Sequence, residues 1–296
     1  PPRSTLFPYT TLFRSDIALV LDSLASCKEP GCKAEVIIIV NQKKDPLPEA
    51  VLNNRKCIEN IETWKKNNSC CFFRLYYFDT GIPSIKGWGV GLARKTGMDE
   101  AVRRFDATDN PGGAIVCLDA DCTVEKNYFV SIEKELLNSK KHTSCSLYFE
   151  HPFQSDKSGS GGCRNIVSYE LHLRYYVCAL RTIGYPYAFH TVGSAMAVKA
   201  GEYVSVGGMN RREAGEDFYF IQKLVQSGTY FSLNSTAVYP SARESMRVPF
   251  GTGATISMLS GKQGQHFLTY DFGAFRELET VFGLRKYLFR CSAKDP

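Results

Sequence analysis

Runs of apolar residues alternate along the chain with segments whose apolar residues recur at helical spacing. The β-branched run Ala34 to Asn41 (AEVIIIVN) is typical of a strand buried on both faces of a parallel sheet. The runs Phe72 to Phe78 and Ala114 to Leu118 predict two more strands. Amphipathic segments before and between these runs predict helices over Asp16 to Cys27, Leu52 to Lys66 and Leu92 to Phe105. This order predicts a doubly wound α/β sheet with right-handed crossovers and helices on both faces.

The second half of the chain continues the pattern less regularly. Glu125 to Leu137 and Asn165 to Arg181 predict helices, and Thr143 to Glu150 predicts a strand. The polar, glycine-rich segment Gln154 to Arg164 predicts a loop, and residues 188 to 206 predict short strands and turns. Because neither an internal repeat nor a linker interrupts this order, we predict a single domain.

The first fifteen residues differ from everything that follows. They read PPRSTLFPYTTLFRS, repeat Thr-Leu-Phe, and show no helical or strand period that continues into the next segment. They resemble translated sequencing-adapter DNA, and an ordinary disordered tail is the alternative. On either interpretation we place residues 1–15 outside the fold, as one does for tags and fusion scars, and expect the genuine N-terminus to be missing.

Composition narrows the choice of partners. The 296 residues are 44% hydrophobic and 22% charged, which is ordinary for a soluble globular protein. The formal charge of +6 is compatible with an anionic substrate such as a nucleotide. The basic residues are scattered and form no recognised module, which argues against a nucleic-acid partner. The eleven cysteines are odd in number and have no CxxC spacing, which indicates reduced thiols and a cytoplasmic location.

Two acidic clusters carry the first candidate chemistry. Asp119 and Asp121 flank one alanine at the end of the strand Ala114 to Leu118, so both carboxylates can face one ligand. Two carboxylates that close repel each other unless a divalent cation such as Mg²⁺ or Mn²⁺ lies between them. A strand-end turn without a ligand is the alternative interpretation of the same tripeptide.

The second cluster, Glu216-Asp217, follows Gly215 and opens a predicted helix. One of its carboxylates is a candidate general base, which needs only hydrogen-bond reach to a substrate hydroxyl. Acidic residues at a helix N-terminus also complement the helix dipole, so the pattern alone leaves both interpretations open.

A glycine-rich segment before the predicted helix at Leu92 is a candidate phosphate site. It runs from Gly87 to Lys95 (GWGVGLARK), and Arg94 and Lys95 add cations at the helix N-terminus. An ordinary glycine-rich turn into a helix is the alternative. The spacing matches neither a Walker loop nor a dinucleotide fingerprint.

Taken in order, these motifs resemble family 2 glycosyltransferases of the GT-A fold. The resemblance rests on G-x-G-x-A-R-K-x-G, then D-A-D, then G-G-M-N and G-E-D, and it extends from about Asp16 to Ala254. Each motif is weak alone, and their order makes the set specific. The resemblance implies a nucleotide-sugar-binding half over residues 16–125 and an acceptor-binding half over residues 126–296.

The resemblance also implies roles for individual residues. Asp121, helped by Asp119, would hold a divalent cation on the diphosphate of the donor. Asp217 would be the catalytic base, with Glu216 orienting it or the acceptor. Direct attack by the acceptor hydroxyl would then invert the anomeric centre. The residues of the implied donor site are Arg94, Lys95, Asp119 and Asn41.

Three departures from the family pattern bear on these expectations. The first strand of the family should precede the helix at Asp16, and we expect it to be absent, which puts the activity of this chain in question. Val40-Asn41-Gln42-Lys43 stands where the family often has Asp-Asp-Gly-Ser, so recognition of the base or ribose would differ. No third metal ligand is evident, and His190 and His266 are candidates, although lone histidines are more often structural.

The acceptor side offers weaker candidates. Polar residues bracketed by aromatic ones suit a sugar, and a basic loop suits phosphate. A polar strand end and a solvated basic loop are the alternatives. The candidate acceptor residues are Glu150, His151, His190, Arg243 and Arg247.

These expectations together predict a metal-dependent, inverting glycosyltransferase. It would move a sugar from a UDP- or GDP-linked donor to the hydroxyl of a glycan or lipid-linked acceptor. Family analogy places this reaction in cell-envelope polysaccharide synthesis, peripherally at the cytoplasmic face of the membrane. The alternatives are a nucleotidyltransferase and a degenerate nucleotide-sugar-binding protein.

Overall fold

A computed structural model describes residues 3–10, 17–42, 46, 48–80, 89–152, 162–211, 215–241 and 268–288 of the chain. Its strands are β1 (Arg3–Thr10), β2 (Lys33–Val40), β3 (Phe73–Asp79), β4 (Ala114–Asp119), β5 (Thr123–Val124), β6 (Ser144–Phe149), β7 (Met196–Lys199) and β8 (Tyr230–Tyr239). Its helices are α1 (Ile17–Ala25), α2 (Pro48–Asn67), α3 (Val90–Asp106), α4 (Tyr128–Ile132), α5 (Gly162–Thr182), α6 (Ala200–Ser205), α7 (Glu216–Val225) and α8 (Phe272–Leu288). A π-helical turn, Glu133–Leu137, continues α4.

The strands form one mixed sheet in the order β3-β2-β1-β4-β7-β6-β8-β5. The pairs β2–β3, β1–β2, β1–β4 and β6–β8 are parallel, whereas β7 runs antiparallel to both β4 and β6. All residues of β2 after the first are buried, as the β-branched run predicts for an inner parallel strand. The predicted α/β class with a mostly parallel sheet is confirmed.

The N-terminal segment differs from the sequence expectation. We expected residues 1–15 to lie outside the fold and the first strand to be missing, whereas Arg3–Thr10 forms β1. It pairs with β2 on one side and β4 on the other. A strand in this position satisfies backbone groups of two neighbours that would otherwise present unpaired edges inside the sheet. The origin of residues 1–15 stays a prediction.

Most of the predicted helices and strands occur within a few residues of their expected bounds. The predicted helix over Glu125 to Leu137 begins later, at Tyr128, and its second half is π-helical. Apart from β1, four elements were not predicted: β5, α6 and β8, which are short or polar, and α8. No described helix combines the length and the apolarity that crossing a bilayer requires.

The contacts divide the chain into two units. Residues 1–152 and 191–241 make up the first, which holds the whole sheet. Residues 153–190 and 242–296 make up the second, whose described elements are α5 and α8. In the second unit, Phe275 of α8 packs against Ala179 and Ile183. The predicted division into halves at residues 125 and 126 stays a prediction.

Candidate active site

Polar residues follow three strands at one edge of the sheet. Asp119 ends β4, Asn41 follows β2, and Glu150 follows β6. The strands β2 and β4 run parallel through β1, and β6 points the same way because both it and β4 are antiparallel to β7. These carboxyl ends therefore share the edge at which open α/β sheets bind ligands.

The antiparallel strand β7 brings a different part of the chain to this edge. Its first residue, Met196, pairs with Cys117 near the end of β4. The residues that precede β7, Gly193 among them, therefore lie near Asp119. Helix α7 also begins here, after Gly215, whose φ of 69° is in the left-handed region that favours glycine.

Arg94, in the second turn of α3, joins the two acidic clusters. Its side chain is 5% exposed. Nη2 donates to Asp119 Oδ1 at 2.7 Å, and Nη1 donates to Glu216 Oε1. Asp119 is 30% exposed and Glu216 is 3% exposed, so the network has a buried end and an open end.

The charges of this network shift one another's pKa values. Burial opposes the charge of Arg94, but the carboxylates of Asp119 and Glu216 outweigh it and raise the pKa of Arg94, which stays protonated. Burial raises the pKa of Glu216 to about 7, because the Arg94 charge offsets only part of the lost hydration. Burial raises the pKa of Asp119 as well, against Arg94, and the nearby Asp121 adds to the rise.

Backbone N–H groups fix the carboxylate of Asp217. Gly193 N–H donates to Oδ2 at 3.0 Å, and Phe218 N–H donates to Oδ1 at 2.8 Å. Asp217 is partly exposed in the first turn of α7, next to the buried Glu216. The helix N-terminus stabilises its negative charge. The geometry thus presents one oriented carboxylate at the ligand edge.

The structure places the other candidate residues less centrally. Lys95 forms an ion pair with Asp99 at 2.9 Å along α3. Asn41 is buried, and its backbone carbonyl accepts a hydrogen bond from Asn54 Nδ2 at 3.4 Å. Glu150 accepts a hydrogen bond from the Tyr148 hydroxyl at 2.9 Å.

The remaining acceptor and metal candidates are two histidines in other surroundings and three residues beyond the described ranges. His151 is buried, with its ring edge-on to Phe149 at 6.1 Å between centroids. His190 belongs to the second unit. Arg243, Arg247 and His266 lie outside the described residues.

The acidic residues fit a divalent cation that takes some of its ligands from the protein and the others from a substrate. Asp119 ends β4, and Asp121 follows in the turn before β5. Across the described residues, no group of three or more histidine, cysteine or acidic side chains could hold a metal ion. Mg²⁺ commonly binds through one or two carboxylates and takes its other ligands from water and substrate phosphates. Two oxygen-donor side chains at an open edge suit that arrangement and do not form a complete protein cage.

Solved structures that resemble the chain identify its fold, and two of them serve as examples. S. aureus TarS residues 1–349, in complex with UDP-GlcNAc, is 14% identical with a TM-score of 0.51, over 96% of this chain and 67% of that one. The mannosyltransferase PcManGT from Pyrobaculum calidifontis, in complex with GDP-Man and Mn²⁺, is 13% identical with a TM-score of 0.53, over 97% and 70%. The chain has a GT-A-type fold.

Sequence comparison adds no family assignment to this fold. Neither a protein-family model nor a curated protein matches the chain. At 13% and 14% identity, the likeness lies in the backbone and leaves the chemistry to be argued from the residues.

The sequence did not reveal that Gly193 belongs to the candidate site of this GT-A-type fold. From the segment before β7 the sequence marked only His190, as an acceptor candidate, whereas Gly193 contacts both Arg94 and Asp217. The signal that could have found it is the direction of β7, because an antiparallel strand brings its preceding residues to the ligand edge. A four-residue strand carries too little sequence pattern to reveal its direction.

Proposed function

We propose that the chain is a glycosyltransferase that moves a sugar from a nucleotide-sugar donor to an acceptor hydroxyl. The observation that carries the proposal is the Arg94 bridge between Asp119 and Glu216 at the ligand edge of a GT-A-type sheet. It brings together two acidic clusters that lie far apart in the sequence. One cluster suits the leaving diphosphate and the other suits the attacking hydroxyl.

Asp217 is the proposed general base. Its carboxylate is oriented by two backbone N–H groups and lies beside the buried Glu216. It would accept the proton of the acceptor hydroxyl while that oxygen bonds to the anomeric carbon and the bond from this carbon to the diphosphate breaks. Attack from the face opposite the leaving group inverts the anomeric configuration. Glu216, fixed by Arg94, would hold the start of α7 in place.

Asp119 and Asp121 are the proposed ligands of Mg²⁺ or Mn²⁺. When bound, the cation would offset the charge that develops on the leaving diphosphate. PcManGT was solved with Mn²⁺, which supports a divalent cation on this fold. Lys95, near the start of α3, and Asn41, which follows the end of β2, remain proposed donor contacts.

The acceptor side is proposed on weaker grounds. Glu150 at the end of β6 lies beside Tyr148, which gives a carboxylate and an aromatic ring at the ligand edge. Such a pair suits a sugar, which stacks on rings and hydrogen-bonds to acids. We propose a glycan or lipid-linked acceptor, used at the cytoplasmic face of a membrane.

A donor screen tests the proposed function. The full chain is incubated with UDP- and GDP-linked sugars, Mn²⁺ and simple sugar acceptors, and released nucleotide is measured. Release of nucleoside diphosphate is expected, and NMR of the product should show an inverted anomeric centre. Release of pyrophosphate from a nucleoside triphosphate and a sugar phosphate would instead identify a nucleotidyltransferase. Binding without any release would identify a nucleotide-sugar-binding protein.

A further inference from the structure

Building on the proposed function, we propose that Arg94 is a positioning residue for both acidic clusters and does not bind the nucleotide. The family resemblance assigns it to the nucleotide. In the structure, its guanidinium forms ion pairs with Asp119 on one side and Glu216 on the other. The same side chain therefore fixes a carboxylate of the leaving-group side and one next to the proposed base.

The terminal donors of Arg94 are occupied by carboxylates of the protein. Only 5% of the side chain is exposed, and both terminal nitrogens already bind carboxylates. Nε is buried and has no hydrogen-bond partner within the described part of the chain. A residue that recognises a nucleotide needs donors that face the crevice, whereas both terminal nitrogens of this guanidinium donate to carboxylates of the protein.

Gly193 closes one face of the guanidinium. A Cβ added to Gly193 would lie 2.3 Å from Arg94 Nη1 and 2.5 Å from Cζ, so the glycine backbone packs directly on the group. This leaves no room on that face for a base or a phosphate. The N–H of the same Gly193 holds Asp217 Oδ2 at 3.0 Å. Arg94 therefore supports Asp217 through Gly193 as well as through the adjacent Glu216.

The chemistry of arginine suits this position better than that of lysine. A guanidinium is planar, always charged and presents several donors in a rigid fork, whereas an ammonium is a compact point charge. Only the fork can reach Asp119 and Glu216 with separate nitrogens in a fixed geometry. Without it, the two carboxylates would lose their shared cation and repel each other.

The test compares R94K with wild type in the donor assay and in isothermal titration of UDP or GDP without metal, in EDTA. Because a displacement of about 1 Å can cost about 100-fold in rate, we expect kcat to fall by about that factor. The metal-free nucleotide dissociation constant should not change, because only binding through Asp119 and its cation depends on Arg94. R103K is the matched control, since Arg103 lies on the same helix, is 67% exposed and pairs only along α3. A weaker nucleotide affinity in R94K with an unchanged kcat would overturn the proposal.

Two further variants keep the test decisive. If R94K does not fold by circular dichroism, E216Q takes its place, with the same expected loss of kcat at constant nucleotide affinity. Thermal unfolding of R94Q, E216Q and the double variant needs neither ligand nor turnover. Non-additive effects on stability support the bridge, and additive effects contradict it. A wild-type protein that turns over no nucleotide sugar would contradict the proposed function, and the unfolding cycle would still decide the role of Arg94.

Discussion

The carboxylate of Asp217 is held in a way that suits a base. Both of its oxygens accept backbone hydrogen bonds, from Gly193 and Phe218, so the side chain is oriented before any ligand arrives. An asparagine has nearly the same shape and can keep one of these bonds, but it cannot accept a proton.

We therefore expect Asp217→Asn to lower kcat by about 100- to 10,000-fold while nucleotide affinity stays near that of wild type. The measurement is the rate of nucleoside diphosphate release, together with titration of UDP or GDP in Mn²⁺. Asp106→Asn is the control, because Asp106 is exposed at the end of α3. An Asp217→Asn enzyme with wild-type kcat would exclude this residue as the base.

Position 193 needs a glycine, because a Cβ there would overlap the Arg94 guanidinium. We expect Gly193→Ala to destabilise the fold by about 1–3 kcal/mol, the usual cost of overpacking a filled site. Urea unfolding measures this change. Gly112→Ala is the control, since its Cβ would meet only Asn110 Oδ1 at 3.7 Å. Equal stability of the two variants would mean that Arg94 moves aside without cost.

The sequence predicted some of these residues and not others for a physical reason. Asp119 and Asp121 follow an apolar strand, and Glu216 and Asp217 begin an amphipathic helix, so local pattern alone marks them. The contact of Gly193 with Arg94 depends on the pairing of distant strands, which no local pattern contains. For Arg94 the sequence marks the position and leaves the role open, because a cation after glycines has the same pattern whether it binds phosphate or a carboxylate.

At the scale of elements, β7 decides how the site is assembled. A parallel strand would bring its end to the ligand edge, whereas the antiparallel β7 brings its beginning. The strongly apolar strands β2 and β4 were predictable because burial on both faces leaves a continuous pattern. The elements β5, α6 and β8 were not, because they are short or carry polar residues.

Helix α5 sets the charge state of His190 within the second unit. Burial and the charges of Arg174 and Arg181 lower the pKa of His190 to about 4, with Glu170 opposing them. His190 is therefore neutral in the folded protein at a pH where the unfolded chain, with a pKa of about 6.5, is protonated. The unfolded state binds more protons between these values, so the stability contributed by His190 is lost as pH falls from about 6.5 to about 4.

We expect His190→Gln to flatten the decline of the thermal midpoint across that window. The measurement is thermal unfolding at a series of pH values from about 4 to about 7, the range set by the two pKa values. His142→Gln is the comparison, since His142 lies in the first unit and stacks on Phe231. A parallel decline in wild type and His190→Gln would show that other groups control it.

At the scale of the whole molecule, the proposed metal site has two protein ligands, Asp119 and Asp121, and on this proposal a bound donor would complete it. Because Asp119 and Asp121 supply few ligands, Mn²⁺ alone should raise the thermal midpoint little, and Mn²⁺ with UDP or GDP should raise it clearly. At a ligand concentration of 100 times the dissociation constant, the stabilisation is about 2.7 kcal/mol.

Differential scanning fluorimetry checks this expectation, and excess EDTA should remove the metal-dependent part. Asp121→Asn should remove that part as well, whereas Asp106→Asn should leave it intact. A large shift with Mn²⁺ alone would indicate a complete metal site elsewhere in the chain.

The Arg94 bridge also has a consequence for how the protein folds. It joins positions 122 residues apart, from the start of α3 to the start of α7. Contacts so distant in sequence form slowly, because the intervening chain must be ordered first. Helical structure should therefore recover early on refolding, and the proposed transferase activity, which depends on the bridge, should recover late. That activity would then report complete folding, and we expect no short fragment of the chain to possess it.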